Sequence, residues 1–207
     1  MSEDKVLHLF RETGALLEGH FQLTSGLHSP HYFQCAKVLQ YPRYAELLCG
    51  EIARHFKGSH IDAVISPALG GIIVGQETGR QLARLRSGLL AFRKKSDGIR
   101  VMFTERKNNA MLLRRGFELR AGDRVLVCED VITTGGSVGE VVRIVRNAGA
   151  EVMGVGCVVD RSGGKVQFEV PEQFAVLRMD IVTYEKAGCP LCKQGIPVEK
   201  PGSRENL

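Results

Sequence analysis

Acidic, hydroxyl and glycine residues lie side by side near the middle of the chain, in an order that suits a phosphate-bearing ligand. They occupy consecutive positions: Glu129, Asp130, Val131, Ile132, Thr133, Thr134, Gly135, Gly136 and Ser137. The glycines leave backbone N–H groups accessible, and the hydroxyls can donate hydrogen bonds to an anion. The two carboxylates would repel a phosphate, so they require hydroxyl donors or a metal ion instead. A sugar phosphate such as ribose 5-phosphate satisfies both demands; the alternative is an ordinary strand-to-helix turn with solvated acids.

A buried strand and an amphipathic helix must position these residues. The run from Val125 to Cys128 is continuously apolar, as expected of a parallel strand that is covered on both faces. Valines at i, i+3, i+4 and i+7 predict a helix directly after the loop: Val138, Val141, Val142 and Val145. Gly149 is a helix stop, and Val152 to Val159 predicts the next buried strand. The pattern therefore predicts a βαβ unit with a small-residue turn before its helix.

A second small-residue turn precedes another predicted helix. Ile61 to Ile65 is predicted to be a strand and Ile72 to Leu85 a helix. The turn between them contains Ala68, Leu69, Gly70 and Gly71. Free backbone N–H groups at a helix start suit a second anion, although a tight βα turn without a ligand is the alternative. Two such turns on adjacent strands would describe a ligand with phosphates at both ends.

Segment 129–137 resembles the ribose-phosphate signature of the type I phosphoribosyltransferases. Stretches from about Leu16 to Arg204 are similar to the orotate phosphoribosyltransferases within that family. The resemblance implies an α/β fold with a central, mainly parallel sheet flanked by helices, a small N-terminal hood and a flexible loop. It also implies that 129–137 binds 5-phosphoribosyl 1-diphosphate and that 68–71 is the pyrophosphate loop.

The resemblance assigns recognition of the base to four residues. These are Tyr32 and Phe33 in a predicted hood hairpin, Arg161 beyond the predicted strand, and Thr133 in the phosphate loop. An arginine fork suits a planar ligand with a carboxylate or carbonyl group. Core packing is the alternative for the two aromatic residues, and a surface arginine beside Asp160 is the alternative for Arg161. The family pattern has a lysine at two positions where this chain has Thr24 and Gly70.

A polar, basic segment from Thr104 to Arg115 contains little apolar surface, so mobility is the default expectation. In the family this position is a loop that closes over the pyrophosphate, excludes water and brings positive charge to the leaving group. Arg106 and Lys107 are the expected catalytic cations, and a solvated basic loop is the alternative. An insertion relative to the family, expected to be a solvated hairpin, is predicted within about Ala83 to Ile99.

The implied reaction is transfer of the phosphoribosyl group to orotate, which gives orotidine 5′-phosphate and pyrophosphate in UMP biosynthesis. Glu129 and Asp130 are expected to hold the ribose hydroxyls. Mg²⁺ is expected to bind through substrate oxygens, with Asp130 acting directly or through water. A homodimer is also expected. Two alternatives remain: a purine phosphoribosyltransferase with the same phosphate site, and a non-catalytic regulator that senses nucleotides while binding nucleic acid.

The composition is ordinary for a globular protein, with 43% hydrophobic and 25% charged residues among 207. One domain is expected, with the hood at about 15–40, the α/β core at about 43–185 and a loosely held tail at about 193–207. The net charge of +5 favours anionic ligands, and no motif supports binding of nucleic acid. No apolar run approaches the roughly 18 residues that span a membrane, and no signal peptide is recognisable. We therefore expect a cytoplasmic protein that does not bind a membrane.

Six cysteines are scattered without a disulfide framework, and two of them form a CxxC motif at Cys189 and Cys192. A CxxC can bind zinc or undergo redox exchange, and a structural zinc site needs four ligands. No second pair with suitable spacing is found in the sequence. The expectation is therefore a fortuitous or locally structural pair.

Overall fold

The computed structural model describes residues 1–23, 25–87 and 98–201. The N-terminal part consists of helix α1 (Glu3–Glu12), the antiparallel strands β1 (Leu16–Gln22) and β2 (His28–Phe33), and the short helix α2 (Ala36–Leu39). In α1 the apolar side of the helix buries Val6 and Phe10. Strands β1 and β2 form the hood, a small sheet of its own outside the central one.

The central part alternates strands and helices. Its strands are β3 (Ala63–Pro67), β4 (Arg100–Lys107), β5 (Ala110–Leu113), β6 (Arg124–Ile132), β7 (Glu151–Asp160) and β8 (Gln173–Arg178). Its helices are α3 (Pro42–His55), α4 (Gly70–Ser87) and α5 (Gly136–Asn147). The strand order is β5-β4-β3-β6-β7-β8, and every neighbouring pair is parallel except β4 with β5. A 3₁₀ turn (Lys186–Gly188) and helix α6 (Pro190–Lys193) follow β8.

The sheet is buried on both faces, which explains the unbroken apolar run in β6. Val125 and Val127 pack in one core cluster with the valine stripe of α5. Leu126 and Cys128 point to the opposite face and pack in a second cluster with residues of α1, α3 and α4. Since consecutive side chains of a strand alternate between faces, both sets must be apolar when helices cover both sides.

This architecture confirms the predicted α/β fold with a mainly parallel sheet. The βαβ unit, the second strand-to-helix turn and the hood hairpin are all present, although β2 begins at His28, three residues before the predicted return at His31. Within the predicted insertion, α4 extends to Ser87 and β4 begins at Arg100. The hairpin expected there falls on residues 88–97, which lie outside the described residues. Among the described helices, none has the length and apolar character to cross a bilayer.

The basic segment from Thr104 to Arg115 is a β-hairpin instead of the irregular loop that its composition suggested. Strands β4 and β5 pair in antiparallel register, and Asn108 and Asn109 form the turn with φ values of +49° and +62°. Two consecutive positive φ angles match a two-residue hairpin turn, which asparagine tolerates well. Thr104 and Met111 are buried and anchor the base of the ribbon. The asparagine pair is the sequence signal for this turn, and an argument from charge alone does not use it.

Candidate active site

Both small-residue turns lie at the same edge of the sheet, because β3 and β6 are adjacent parallel strands. Ala63, Val64 and Ile65 pair in register with Val125, Leu126 and Val127. The carboxyl ends of the two strands therefore meet at one edge, with the 68–71 turn leading into α4 and the 133–137 turn leading into α5. The carboxyl edge of an open parallel sheet is where ligands of such folds usually bind.

The turn before α5 forms a cradle around a cavity of about 170 Å³. The cavity is lined by Glu129, Val131, Ile132, Thr133, Thr134, Gly135, Gly136, Ser137 and Val138. Gly135 is the N-cap of α5 and has a φ of +75°, a conformation that favours glycine. A Cβ at this position would also lie 2.6 Å from a Val166 methyl carbon. Backbone geometry thus requires glycine here, and the cavity opens at the positive end of the helix dipole.

The two acids lie between the turns and have different environments. Glu129 is 8% exposed and Asp130 is half-buried. The Glu129 Oε1 accepts a hydrogen bond of 3.0 Å from the Asp130 N–H, and the Asp130 Oδ1 accepts one of 2.9 Å from the Val131 N–H. Burial, reinforced by the neighbouring charge of Asp130, raises the pKa of Glu129 well above its ordinary value. Glu129 lines this cavity and Asp130 does not, so the expectation that both acids face away from a bound anion fits Asp130 only.

Gly70 and Gly71 let the second turn lie directly against the acid pair. A Cβ on Gly70 would overlap the carboxylate of Asp130, and a Cβ on Gly71 would lie 3.1 Å from the Glu129 Oε1. Ala68 and Leu69 complete the turn, which the Ala68 N–H anchors to the Thr104 carbonyl at 2.8 Å. The glycine where the family pattern has a lysine therefore has a local physical reason, since any side chain at position 70 would displace Asp130.

Arg161 and the hood come together at the same edge. The Arg161 N–H donates to the Ile132 carbonyl at 2.8 Å, and its guanidinium lies 6.0 Å from the centre of the Phe33 ring. Burial lowers the pKa of this guanidinium, and its Nε is buried without a hydrogen-bond partner. Asp160 accepts hydrogen bonds from Ser162 and Gly164 instead. Within the described ranges, Arg161 makes no ion pair with a carboxylate, and it is half-buried although the alternative had it at the surface beside Asp160.

The two hood aromatics differ in position. Phe33 is 5% exposed and packs edge-on against Phe10 at 5.6 Å, so it belongs to the core and supports Arg161 from beneath. Tyr32 is half-buried, and its ring centre lies 5.9 Å from that of Phe21. Tyr32 is the aromatic residue that remains available to a ligand beside Arg161. Thr24, the other departure from the family pattern, lies outside the described residues.

The arginines of the basic segment 104–115 form ion pairs with acids other than Glu129 and Asp130. The Arg106 guanidinium donates to Glu140 of α5 at 2.9 Å and to the Asn109 carbonyl at 2.7 Å. Arg115 makes a two-pronged contact with Glu105 at 2.7 and 2.9 Å. Lys107 is exposed next to the turn. The structure thus shows Arg106 paired, whereas Lys107 has no ion-pair partner among the described residues.

The expectation for the CxxC motif is wrong in one respect, because the structure supplies a second pair of candidate ligands. His20 of β1 and His28 of β2 lie next to Cys189 and Cys192. A second ligand pair was expected at short spacing, whereas these two histidines are eight residues apart on a hairpin. Two histidines flanking a hairpin turn were the signal that could have found them.

Comparison with known proteins agrees with this geometry. A family model for the phosphoribosyl transferase domain matches residues 43–176. An orotate phosphoribosyltransferase from Chlorobium phaeobacteroides is 54% identical over 206 residues, which cover 100% of this chain and 98% of that protein. The enzyme of the same name from Caldanaerobacter subterraneus is 51% identical over 99% of this chain and 100% of its own length. The chain belongs to the orotate phosphoribosyltransferase family.

Solved structures of other phosphoribosyltransferases share the fold of this chain. The orotate phosphoribosyltransferase of Aeropyrum pernix matches with a TM-score of 0.64 at 20% identity, covering 84% of this chain and 93% of that one. An adenine phosphoribosyltransferase from Rhodothermus marinus matches almost equally, with a TM-score of 0.62 at 19% identity and coverages of 85% and 99%. The fold is thus common to enzymes for different bases.

Proposed function

We propose that this chain transfers the 5-phosphoribosyl group from 5-phosphoribosyl 1-diphosphate to orotate, giving orotidine 5′-phosphate and pyrophosphate. The observation that carries the proposal is the Arg161 guanidinium, which is partly desolvated, has an unpartnered buried Nε and lies beside the hood next to the phosphate cradle. A buried cation without a carboxylate partner is stabilised by an anionic ligand. Orotate carries a carboxylate, whereas the purine bases do not.

Substrate positioning by the chain's own residues accounts for most of the proposed catalysis. The backbone N–H groups and hydroxyls of 133–137 would bind the 5′-phosphate, and Asp130 would accept hydrogen bonds from the ribose hydroxyls. Backbone N–H groups of 68–71 would bind the pyrophosphate beside Asp130. Substitution at the anomeric carbon passes through an oxocarbenium-like transition state, which nearby carboxylates stabilise electrostatically. Lys107, at the tip of the hairpin, would reach the leaving pyrophosphate if the hairpin closed.

The donor set also fits Mg²⁺, which the family implies. The Asp130 carboxylate lies against the pyrophosphate loop, and both it and Glu129 offer the oxygen ligands that Mg²⁺ prefers. Asp130, directly or through water, would hold the ion together with substrate oxygens. When bound, Mg²⁺ would neutralise charge on the diphosphate leaving group. A strict dependence of turnover on added Mg²⁺ would test this assignment, and full activity in excess chelator would contradict it.

We also propose a homodimer in the cytoplasm. Leu69 is 76% exposed, and Ile73 and Tyr41 are exposed as well. Leu69 lies on the 68–71 turn, Ile73 in the first turn of α4 and Tyr41 at the start of α3, and burial against a second copy would remove these side chains from water. Light scattering should give twice the mass of one chain, and the mass of a single chain would contradict the dimer.

Fractionation of the source cells should recover the protein with cytoplasmic markers, and recovery with membranes would contradict that location.

Spectroscopic measurement of orotate consumption tests the proposed reaction. The full chain is mixed with orotate, 5-phosphoribosyl 1-diphosphate and Mg²⁺, and the loss of orotate absorbance is followed. We expect turnover with orotate and none with adenine or hypoxanthine. Turnover with a purine base alone would establish the purine activity instead. Tight binding of nucleic acid without turnover of any base would support the regulator.

A further inference from the structure

Four soft donor atoms converge where the hood meets the C-terminal segment. The candidate ligand atoms of His20, His28, Cys189 and Cys192 all lie within 4.8 Å of one another. The Cys192 Sγ lies 3.4 Å from the His28 Nδ1 and 3.7 Å from the His20 Nε2, and the Cys189 Sγ lies 3.6 Å from the His20 Nε2. All four cysteine and histidine side chains are therefore near one point, although they come from three separate parts of the chain.

These separations match the edges of a tetrahedral metal site. Bond lengths of about 2.3 Å to sulfur and about 2.05 Å to nitrogen place neighbouring sulfur and nitrogen ligands about 3.6 Å apart. The three sulfur–nitrogen distances lie within about 0.2 Å of that value. The two ring nitrogens, His20 Nε2 and His28 Nδ1, are 2.7 Å apart and would move apart by about 0.65 Å around an ion.

The hydrogen bond of the His20 Nδ1 to a backbone carbonyl leaves the lone pair of the ring on Nε2. The His20 Nδ1 lies 2.7 Å from the Ile196 carbonyl oxygen. A carbonyl oxygen only accepts hydrogen bonds, so Nδ1 must carry the proton, and in the neutral ring Nε2 then bears the lone pair. Histidine ligands of metal ions usually donate their second N–H to a carbonyl or carboxylate in this way. Thus the atom that faces the cysteines is the one that can coordinate.

Backbone hydrogen bonds hold the ligand-bearing segments in place on both sides of the cluster. His28 and Tyr184 exchange two hydrogen bonds of 2.9 Å, and Tyr184 precedes the CxxC motif by five residues. On the other side, the Glu199 N–H donates to the His20 carbonyl at 2.8 Å, and the Gln22 N–H donates to the Glu199 carbonyl at 2.8 Å. Up to Glu199, the C-terminal segment is therefore hydrogen-bonded to the hood, although it was expected to be held loosely.

We propose that His20, His28, Cys189 and Cys192 bind one Zn²⁺ ion in a structural site. Two thiolates and two imidazoles in tetrahedral arrangement are a ligand set that suits zinc. All four positions are filled by the chain, which leaves no open position for a substrate and separates this site from catalysis. His20, His28 and Cys189 are buried, whereas Cys192 is exposed and provides the side from which the ion enters.

The ion would fix the hood against the C-terminal segment across a long stretch of chain. His20 and Cys192 are 172 residues apart, and a metal clip that closes a long loop restricts the unfolded chain strongly. Strand β2 carries His28 at its start and Tyr32 four residues later, beside Arg161. A consequence, which rests on the proposed function, is that the zinc site keeps the base-binding side of the pocket in shape.

Metal analysis of the full, tag-free chain tests the site directly. Purified protein should contain close to one zinc per chain, and Cys192→Ser and His28→Gln should each retain less than about a tenth of that. His31→Gln is the matched control, since His31 is on the same strand and outside the cluster, and it should keep its zinc. A chain that neither contains zinc nor takes up one equivalent of added Zn²⁺ would overturn the proposal. So would variants that retain the metal, or a Cys189–Cys192 disulfide in protein kept under reductant.

Cobalt substitution gives a second, spectroscopic readout of the site that does not depend on activity. Co²⁺ bound by two thiolates in a tetrahedral site should produce thiolate charge-transfer and intense visible absorption, which Cys192→Ser should weaken or abolish. A pale spectrum typical of six-coordinate cobalt would contradict the site. In the zinc-free protein, the KM for orotate should rise at least threefold while that for 5-phosphoribosyl 1-diphosphate changes less. If orotate were never consumed but zinc were bound, the proposed reaction would fail and the metal site would stand.

Discussion

The adjacent acids Glu129 and Asp130 have different properties because their surroundings differ. Glu129 is buried at the wall of the phosphate cavity, and burial together with the charge of Asp130 raises its pKa. A raised pKa means that this carboxyl group keeps its proton to a higher pH, which weakens its repulsion of a phosphate. Asp130 is half-buried against the 68–71 turn, where its carboxylate oxygens can accept hydrogen bonds from ribose hydroxyls. In the proposed mechanism, Glu129 therefore forms part of the cavity wall and Asp130 binds the sugar.

Replacing Asp130 by asparagine should leave the fold intact and reduce kcat by about 10²-fold. The amide keeps the shape and the acceptor for the Val131 N–H but loses the charge that stabilises the oxocarbenium-like transition state. Steady-state kinetics and circular dichroism measure the two effects. Asp180→Asn, which alters an exposed ion pair with Lys165, is the control. Unchanged kinetics in Asp130→Asn would remove this acid from the mechanism.

Replacing Arg161 by alanine should raise the KM for orotate about 10- to 100-fold. A hydrogen bond to a charged group contributes about 1.5–3 kcal/mol, which corresponds to this range. The KM for 5-phosphoribosyl 1-diphosphate should change much less, because Arg161 is outside the residues that line the phosphate cavity. Arg178→Ala, on the exposed side of β8, is the matched control. Equal increases in both KM values would count against a role in recognition of the base.

At the scale of elements, the site depends on two strand-to-helix turns meeting at one sheet edge. The sequence predicts both turns because apolar runs, small residues and helical stripes follow one another in order, as in β6 and α5. It does not predict that Gly70 lies against Asp130, since that contact depends on how the two turns pack. The β4–β5 hairpin was also missed, because its charged residues hid the Asn108–Asn109 turn and the buried Met111.

A methyl group at position 70 should disturb the site without unfolding the chain. In Gly70→Ala the new Cβ would overlap the Asp130 carboxylate, so either the acid or the pyrophosphate loop must shift. We expect kcat to fall about tenfold or more, with a small change in Tm. Gly58→Ala is the matched control, because nothing lies within 4 Å of a Cβ at that position and it follows α3 on the surface. Wild-type turnover in Gly70→Ala would show that this close approach is unimportant.

At the scale of the whole molecule, the hood and the C-terminal segment are joined by contacts that no local sequence pattern predicts. The pairing of His28 with Tyr184 and of Gln22 with Glu199 links residues from opposite ends of the chain. Hydrophobic periodicity predicts elements but not which distant loops will meet, so the histidine and cysteine cluster emerged only in three dimensions. The edge strand β8 was not predicted either, because its residues are mostly half-buried and carry no clear alternation.

The buried acid at the site should reduce the stability of the whole chain at neutral pH. The pKa of Glu129 is raised on folding from its ordinary value of 4.5, so the folded state retains a proton that the unfolded state has lost. Stability should therefore fall as the pH rises from about 4.5 towards the folded pKa. Glu129→Gln removes this effect and should raise Tm at pH 8 by about 2–4 °C, equivalent to about 1 kcal/mol for a chain of this size.

Thermal unfolding at two pH values checks this prediction. The difference in Tm between Glu129→Gln and the unaltered protein should be positive at pH 8 and close to zero at pH 4.5. Glu151→Gln, an exposed residue at the start of β7, should show no such dependence. A Tm advantage that was greater at the lower pH would mean that the carboxylate is stabilised, and not destabilised, by its surroundings.

The central claim is that the acids at 129–130 and the backbone N–H groups of 133–137 bind the same sugar phosphate. Crystallography of the protein soaked with orotidine 5′-phosphate tests this claim most directly. The 5′-phosphate should occupy the cradle at Thr133–Ser137, the ribose hydroxyls should face Asp130, and the base carboxylate should lie at Arg161. Phosphate density anywhere other than at that cradle would contradict the account.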